Sequence, residues 1–128
     1  RIAGVNLVAG TLDGHTLVTS GGQHLHGLAD APADGPAVAL FRPAAVAVHL
    51  TPPGGSPRNR IPVTVGEIEP RGELVRVRAV DGPDGSAGLV ADMTADAAAD
   101  LDLAPGREVW FVVKATEVSL YPSTSRDG

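Results

Sequence analysis

The sequence predicts a mainly β protein built as small Greek-key barrels with one short helix. Three observations carry this. First, 16 Gly and 11 Pro in 128 residues cut the chain into segments too short for long helices. Second, apolar residues alternate with polar ones in most of those segments, the period of a half-buried strand. Third, the second half of the chain echoes the first, as a duplicated β unit would.

The elements follow in order. Residues 2–10 and Thr16–Ser20 read as strands, the second ending at the Gly21-Gly22 turn. Gln23–Leu28 alternates and sets His24 and His26 on one strand face. Two histidines at that spacing can ligate a metal, but no third ligand lies near in sequence, and zinc sites take three or four protein ligands. Exposed strand histidines are the expectation. Asp30–Pro36 reads as a loop and Ala37–Phe41 as a compact apolar strand. Arg42-Pro43 breaks it, because proline removes a ladder donor. Val46–Leu50 resumes as a strand, and Thr-Pro-Pro-Gly-Gly at 51–55 is the clearest linker. The first unit, residues 1–52, is expected to end there.

The second unit, residues 53–122, opens with Ser56-Pro57-Arg58-Asn59. Pro62–Glu69 alternates, with a bulge or bend expected at Gly66. Pro70-Arg71-Gly72 reads as a turn. Leu74–Val80 sets Val75, Val77 and Ala79 on one face and Arg76 and Arg78 on the other. Asp81–Gly85 is a hairpin loop and Gly88–Met93 a strand. Thr94 is an N-cap for a short helix, Ala95–Leu101, with Asp96 placed well for the dipole. Glu108–Val113 is the most apolar strand, Val118–Tyr121 the last. Trp110, Phe111 and Tyr121 are expected in the core. Residues 123–128 read as a flexible tail.

The echo is local. Asn6-Leu7-Val8 resembles Asn59-Arg60-Ile61, and residues 37–48 resemble 109–120. In both longer runs a strand ends at a cation, passes a small residue and resumes apolar. Many short strands with one small helix match OB-like (oligonucleotide/oligosaccharide-binding) Greek-key β-barrels. The first copy lacks a Ser-x-Arg counterpart and reads as degenerate.

Charge narrows the function. The net charge is −5, whereas nucleic-acid binders present a basic face. The six Asp and no cation of residues 81–102 read as a solvated acidic face. The absence of cysteine excludes disulfides and thiolate metal sites. No apolar run is long enough to cross a bilayer, and there is no signal peptide. The chain opens at Arg1 in a strand pattern, as a piece of a longer protein would.

Two short runs beside strong strand patterns remain. Ser56-Pro57-Arg58-Asn59 and Lys114-Ala115-Thr116 together offer two cations, two hydroxyls, an amide and backbone N–H groups, and few acceptors. A donor-rich set of this kind suits a small oxyanion. Arg grips two oxygens of a tetrahedral anion; Lys supplies a compact charge. The apolar run before Lys114, the only lysine, predicts a half-buried stem. If the strand continues through Thr116, Lys114 and Thr116 share a face and Glu117 faces away. The bland alternative is a pair of ordinary strand-end cations, since charge patterning is weak evidence.

Residues 56–121 resemble a molybdate-binding Mop domain, also called a TOBE domain. The resemblance is carried by Ser56-Pro57-Arg58-Asn59, by Thr94 through Leu103-Ala104-Pro105-Gly106, and by Lys114-Ala115-Thr116-Glu117-Val118. From Gly4-Val5-Asn6-Leu7 onward, with Arg42-Pro43, the whole chain resembles the C-terminal regulatory region of the ATPase subunit of molybdate-import ABC transporters. The resemblance implies molybdate or tungstate as ligand, held by Ser56, Arg58, Asn59, Thr94, Lys114, Ala115 and Thr116. It implies no cofactor and no metal beyond molybdenum in the oxyanion. It also implies a homodimer, a cytoplasmic place at the inner face of the membrane, contact with the parent's nucleotide-binding domain, and indirect contact with the transporter's membrane subunits. Pro57 stands where the family usually has alanine, and Ala97 where some relatives have serine.

Other functions stay in view. No nucleophile elbow, Cys nucleophile or phosphate loop is present, so the fragment is not expected to be an enzyme. A barrel for another ligand, or a structural dimerisation module with a silent anion site, would use the same strands. Nucleic acid would need stacking aromatics in a cationic groove.

Overall fold

The computed structural model describes residues 4–55, 58–83 and 85–123. Its strands are β1 Asn6–Gly14, β2 Thr16–Val18, β3 His24–His26, β4 Ala33–Phe41, β5 Ala47–His49, β6 Arg58–Arg71, β7 Leu74–Ala79, β8 Val90–Thr94, β9 Glu108–Lys114 and β10 Ser119–Pro122. One helix, α1 Ala95–Asp100, and two 3₁₀ turns, Pro43–Ala45 and Ala115–Glu117, complete the described elements. The fold is mainly β and OB-like: two curled antiparallel sheets of five strands, in spatial order β10-β4-β1-β2-β3 and β5-β9-β6-β7-β8.

The strand order shows how the two units are joined. Each sheet takes its last strand from the other half of the chain. Proline and the 3₁₀ turn at 43–45 end β4, and the chain then crosses to pair Ala47, Val48 and His49 with Val112, Phe111 and Trp110. The turn at 115–117 ends β9 in the same way, and β10 crosses back to pair Ser119–Pro122 with Leu40–Ala37. β10 is gripped from its other side as well. Leu28 N–H donates to the Val118 carbonyl at 2.8 Å, and Leu120 N–H donates to the Leu28 carbonyl at 2.8 Å. The linker at 51–55 divides the chain, but the sheets span it. Apolar side chains of both sheets form one continuous core, with Leu12, Leu17, Leu25, Val77, Phe111 and Val118 each at most 2 % exposed.

Local patterns behave as their chemistry requires. The register shift between Val65 and Glu67 puts a bulge at Gly66. Val75, Val77 and Ala79 are buried, with Arg76 and Arg78 on the opposite face. Thr94 Oγ1 accepts the Ala97 N–H at 3.1 Å and caps α1.

Some expectations change, among them the first strand, which runs to Gly14 rather than ending at Gly10. Residues 33–36 belong to β4 rather than a loop, held in register against Thr11–Gly14. β6 runs for 14 residues through both Pro62 and Pro70. Proline is tolerated where its missing N–H faces an unpaired edge, and at Pro62 itself β6 has a backbone partner only on the β9 side. Phe111 is in the core at 0 % exposure, but Tyr121 is 49 % exposed. Successive strand residues face opposite sides; in β10 the inward position belongs to Leu120, at 2 % exposure.

Candidate functional site

The two donor-rich runs lie more than fifty residues apart in sequence, and the β6–β9 ladder brings them together. β6 begins where β9 ends, and their register pairs Arg58 directly with Lys114 and Asn59 with Val113. Ser56 and Pro57 lie outside the described residues.

Beyond Lys114 the strand does not continue. Lys114 is the extended N-cap of the 3₁₀ turn Ala115–Glu117 (φ −70°, ψ 144°), so the shared strand face expected for Lys114 and Thr116 does not form. Such a turn leaves the N–H groups of its first residues, Ala115 and Thr116, without partners inside the turn. Lys114 is exposed, not half-buried. Period-two alternation puts Lys114 on the face of Val112, which is itself 4 % exposed, so Lys114 is exposed by its place at the end of the strand. Glu117 is directed to the first-half turn, where Arg42 Nη2 donates to its Oε1 at 3.4 Å. Arg42 caps Pro43–Ala45 just as Lys114 caps Ala115–Glu117, so this ion pair joins the two equivalent turns.

Asn59 has a structural task that its motif did not reveal. It is 1 % exposed. Its Nδ2 donates to the His26 carbonyl at 2.9 Å, and its Oδ1 accepts the His26 N–H at 2.7 Å. Asn6 does the same in the other half: Nδ2 to the Val90 carbonyl at 2.9 Å, Oδ1 from the Val90 N–H at 2.8 Å. Each amide side chain thus pairs with a strand of the opposite sheet as another strand would. These bonds fix the start of β6 against β3. The strand segment around His26 is the contributor that sequence reasoning missed. The signal was present: two asparagines at equivalent places in apolar strands, where a buried amide must find partners.

Thr94 sits elsewhere. It pairs with Leu74, the residue that faces Arg71 at the last position of β6, whereas Lys114 faces the first. Among the described residues no hydrogen bond joins Thr94 to Lys114, Ala115 or Thr116. Its Oγ1 is engaged in the cap of α1, in a segment that is exposed.

His24 and His26 are both exposed on β3, and Thr16 Oγ1 lies 3.2 Å from His26 Nδ1. Among the described residues no group of three His, Cys, Asp or Glu is placed to hold a metal ion. The charged pair with the best geometry lies away from the site, on the face of β7 and β8 opposite Val75 and Val77. Arg76 Nε and Nη2 donate to Asp92 Oδ1 and Oδ2 at 2.8 and 2.9 Å. Those bonds hold the Asp92 carboxyl below its ordinary range and raise the Arg76 guanidinium.

The β6–β9 register thus sets exposed Lys114, and the 3₁₀ turn that follows it, opposite the start of β6 at Arg58. Comparison with known proteins agrees with this architecture. Two curated relatives, both described as molybdenum import ATP-binding protein ModC, come from Mycobacterium tuberculosis strains CDC 1551 / Oshkosh and H37Rv. Each is 52 % identical over 127 residues, covering 96 % of this chain. The chain spans only 34 % of the length of either. A solved structure of the cytoplasmic molybdate-binding protein ModG, with molybdate bound, superposes with a TM-score of 0.83 over 96 % of this chain and 99 % of that one. Its 22 % identity makes it a likeness of fold. Residues 55–120, more than half of the chain, match the TOBE domain, and the chain belongs to that family.

Proposed function

We propose that this chain is a regulatory oxyanion-binding module, taking molybdate or tungstate and reporting its occupancy to the ATPase subunit of a molybdate-import transporter. The observation that carries the reading is the β6–β9 register, which brings Arg58 opposite Lys114 and so unites two distant donor-rich runs. Identity to the two ModC relatives and the ModG-like fold support the choice of ligand and of parent.

In this reading Ser56, Arg58, Lys114, Thr116 and the backbone N–H groups at Ala115 and Thr116 face the anion. Asn59 holds the strand that carries them. Thr94, remote from Lys114 in the ladder, comes from a second copy in a homodimer, and the anion sits at the contact between copies. A shared anion couples its concentration to the arrangement of two chains, provided it binds one arrangement better. The module itself catalyses nothing; ATP hydrolysis belongs to the rest of the parent, at the cytoplasmic face of the membrane.

Selectivity follows from donors. Near neutral pH molybdate is a fully deprotonated dianion whose oxygens all accept. Phosphate, partly protonated, carries a donor that finds no acceptor in this shell, at a cost of about 1–3 kcal/mol. Sulfate has no proton but is smaller, and a shell built for molybdate leaves its hydrogen bonds stretched. The test is calorimetry of the chain with molybdate, tungstate, sulfate and phosphate, repeated on Lys114→Ala. Molybdate and tungstate are expected to bind, sulfate weakly, phosphate least, and Lys114→Ala to weaken molybdate at least about tenfold, a loss of roughly 1.4 kcal/mol. Equal binding of sulfate, or an unchanged Lys114→Ala, refutes the site.

A further inference from the structure

The two halves treat their equivalent strand edges differently. In the second half, Arg60, Pro62 and Thr64 turn their backbone groups toward the side of β6 that β7 reaches only from Val65 onward. That stretch is sealed. Gln23 Nε2 donates to the Arg60 carbonyl at 3.3 Å, Pro62 has no N–H, and Val80 N–H donates to the Thr64 carbonyl at 2.9 Å. Matching Asn6 to Asn59 makes Leu7, Ala9 and Thr11 the counterparts in β1. The two-residue Gly14-His15 hairpin sets Asp13 and Thr16 as a bonded pair, so alternate residues Thr11, Ala9 and Leu7 point their N–H and C=O the same way. Val18 faces Thr11, and β2 goes no further. Among the described residues nothing pairs with the Leu7 and Ala9 backbone groups on that side.

This open edge lines a cleft of about 1260 Å³ between the two halves. Its walls include Val18, Leu25, Ile61 and Leu89, with Arg76 and Arg78 on the side of β7. No described lining residue is Asp or Glu, although the chain is acidic overall. Arg76 is held by Asp92. Arg78 is less committed: its partner Glu67 is 3.6 Å away and 76 % exposed. Proteins ordinarily block such edges; here a strand edge with no partner among the described residues, apolar side pockets and a guanidinium coincide.

We propose that this edge accepts an extended acidic segment of a partner protein, which adds as a strand beside Leu7–Ala9 and sets a carboxylate against Arg78. Backbone pairing supplies attachment, and the pockets and Arg78 supply selectivity. The inference is independent of the oxyanion site, since Lys114, Ala115 and Thr116 are not among the cleft's lining residues.

The test uses the whole chain and two acetylated, amidated seven-residue peptides, one alternating valine with glutamate and one alternating valine with lysine. Binding is followed by amide NMR and fluorescence anisotropy. The Leu7 and Ala9 amides are expected to exchange quickly in the free protein and to shift and become protected with the glutamate peptide, which binds at least about tenfold more tightly than the lysine one. Ala9→Pro, which copies the native Pro62, is expected to weaken binding by about tenfold through loss of one donor. Arg78→Glu is expected to reverse the peptide preference and keeps the test decisive should Ala9→Pro fold poorly. Slow exchange of both amides in the free protein, equal binding of the two peptides, or an unmoved preference in Arg78→Glu overturns the proposal. Self-association that Ala9→Pro abolishes also overturns it, in favour of a second copy on the edge.

Discussion

Replacing Asn59 by alanine tests whether this residue is a clamp or a ligand. The change removes two hydrogen bonds to the His26 backbone, of 2.9 and 2.7 Å, from a side chain 1 % exposed. Each lost bond costs roughly 0.5–1.5 kcal/mol net, and a buried backbone group left unpaired adds to that. A total of about 2–4 kcal/mol follows, against a stability of about 5–15 kcal/mol for a typical domain. At roughly 2 cal/mol/K per residue of unfolding entropy, that loss lowers Tm by roughly 7–15 °C. Urea and calorimetric unfolding of the parent and of Asn59→Ala measure it directly. Asn6→Ala, which breaks the equivalent pair of bonds to Val90, is expected to cost a similar amount and serves as the internal control, since it lies in the half without a Ser-x-Arg motif. A Tm within about 2 °C of the parent, combined with a large loss of molybdate affinity, would refute the clamp and return Asn59 to the ligand shell. The amount deduced is far above the scatter of ordinary surface substitutions, about 0.5 kcal/mol.

Three further outcomes are expected. Residues 53–128 expressed alone lose β5, the partner of β9, and keep β10 without its partner β4; gel filtration should show an associated or unfolded species, and a cooperative monomer would contradict the strand exchange. Asp92 titrates below its ordinary range because Arg76 bonds its charged form, so its contribution is complete above about pH 4 and disappears as pH falls through the lower folded value. Asp92→Asn should therefore cost about 1–3 kcal/mol at neutral pH and flatten the acid limb of the stability curve, and an acid limb identical to the parent's would count against the pair. Gly88→Ala drives a Cβ into the Ala79 carbonyl, which forces backbone movement; a loss of about 3 kcal/mol or more is expected by denaturant unfolding, and a neutral result would show that the loop gives way.

What the sequence determined by itself is everything set by neighbours along the chain. The alternation of Leu74–Ala79, the bulge at Gly66 and the Thr94 cap depend on residues within a few positions of each other, so composition and period specify them. The equivalence of Arg42-Pro43-Ala44-Ala45 with Lys114-Ala115-Thr116-Glu117 was visible for the same reason, and both runs form 3₁₀ turns. Tertiary structure decided what depends on partners far away in the chain. Whether β5 pairs with its own sheet or crosses to β9 turns on which edge is open when the barrel closes, and no local pattern encodes that. Lys114 follows an apolar run yet is exposed, because exposure is set by what packs over a strand end. Asn59 reads as a donor beside Arg58, and only the approach of β3 uses up both ends of its amide. The edges at Leu7–Ala9 and Arg60–Thr64 occupy equivalent places, and the sequence itself marks only one difference, the N–H that Pro62 lacks. Gln23 and Val80 seal the second, and those contacts exist only once the two halves are packed together.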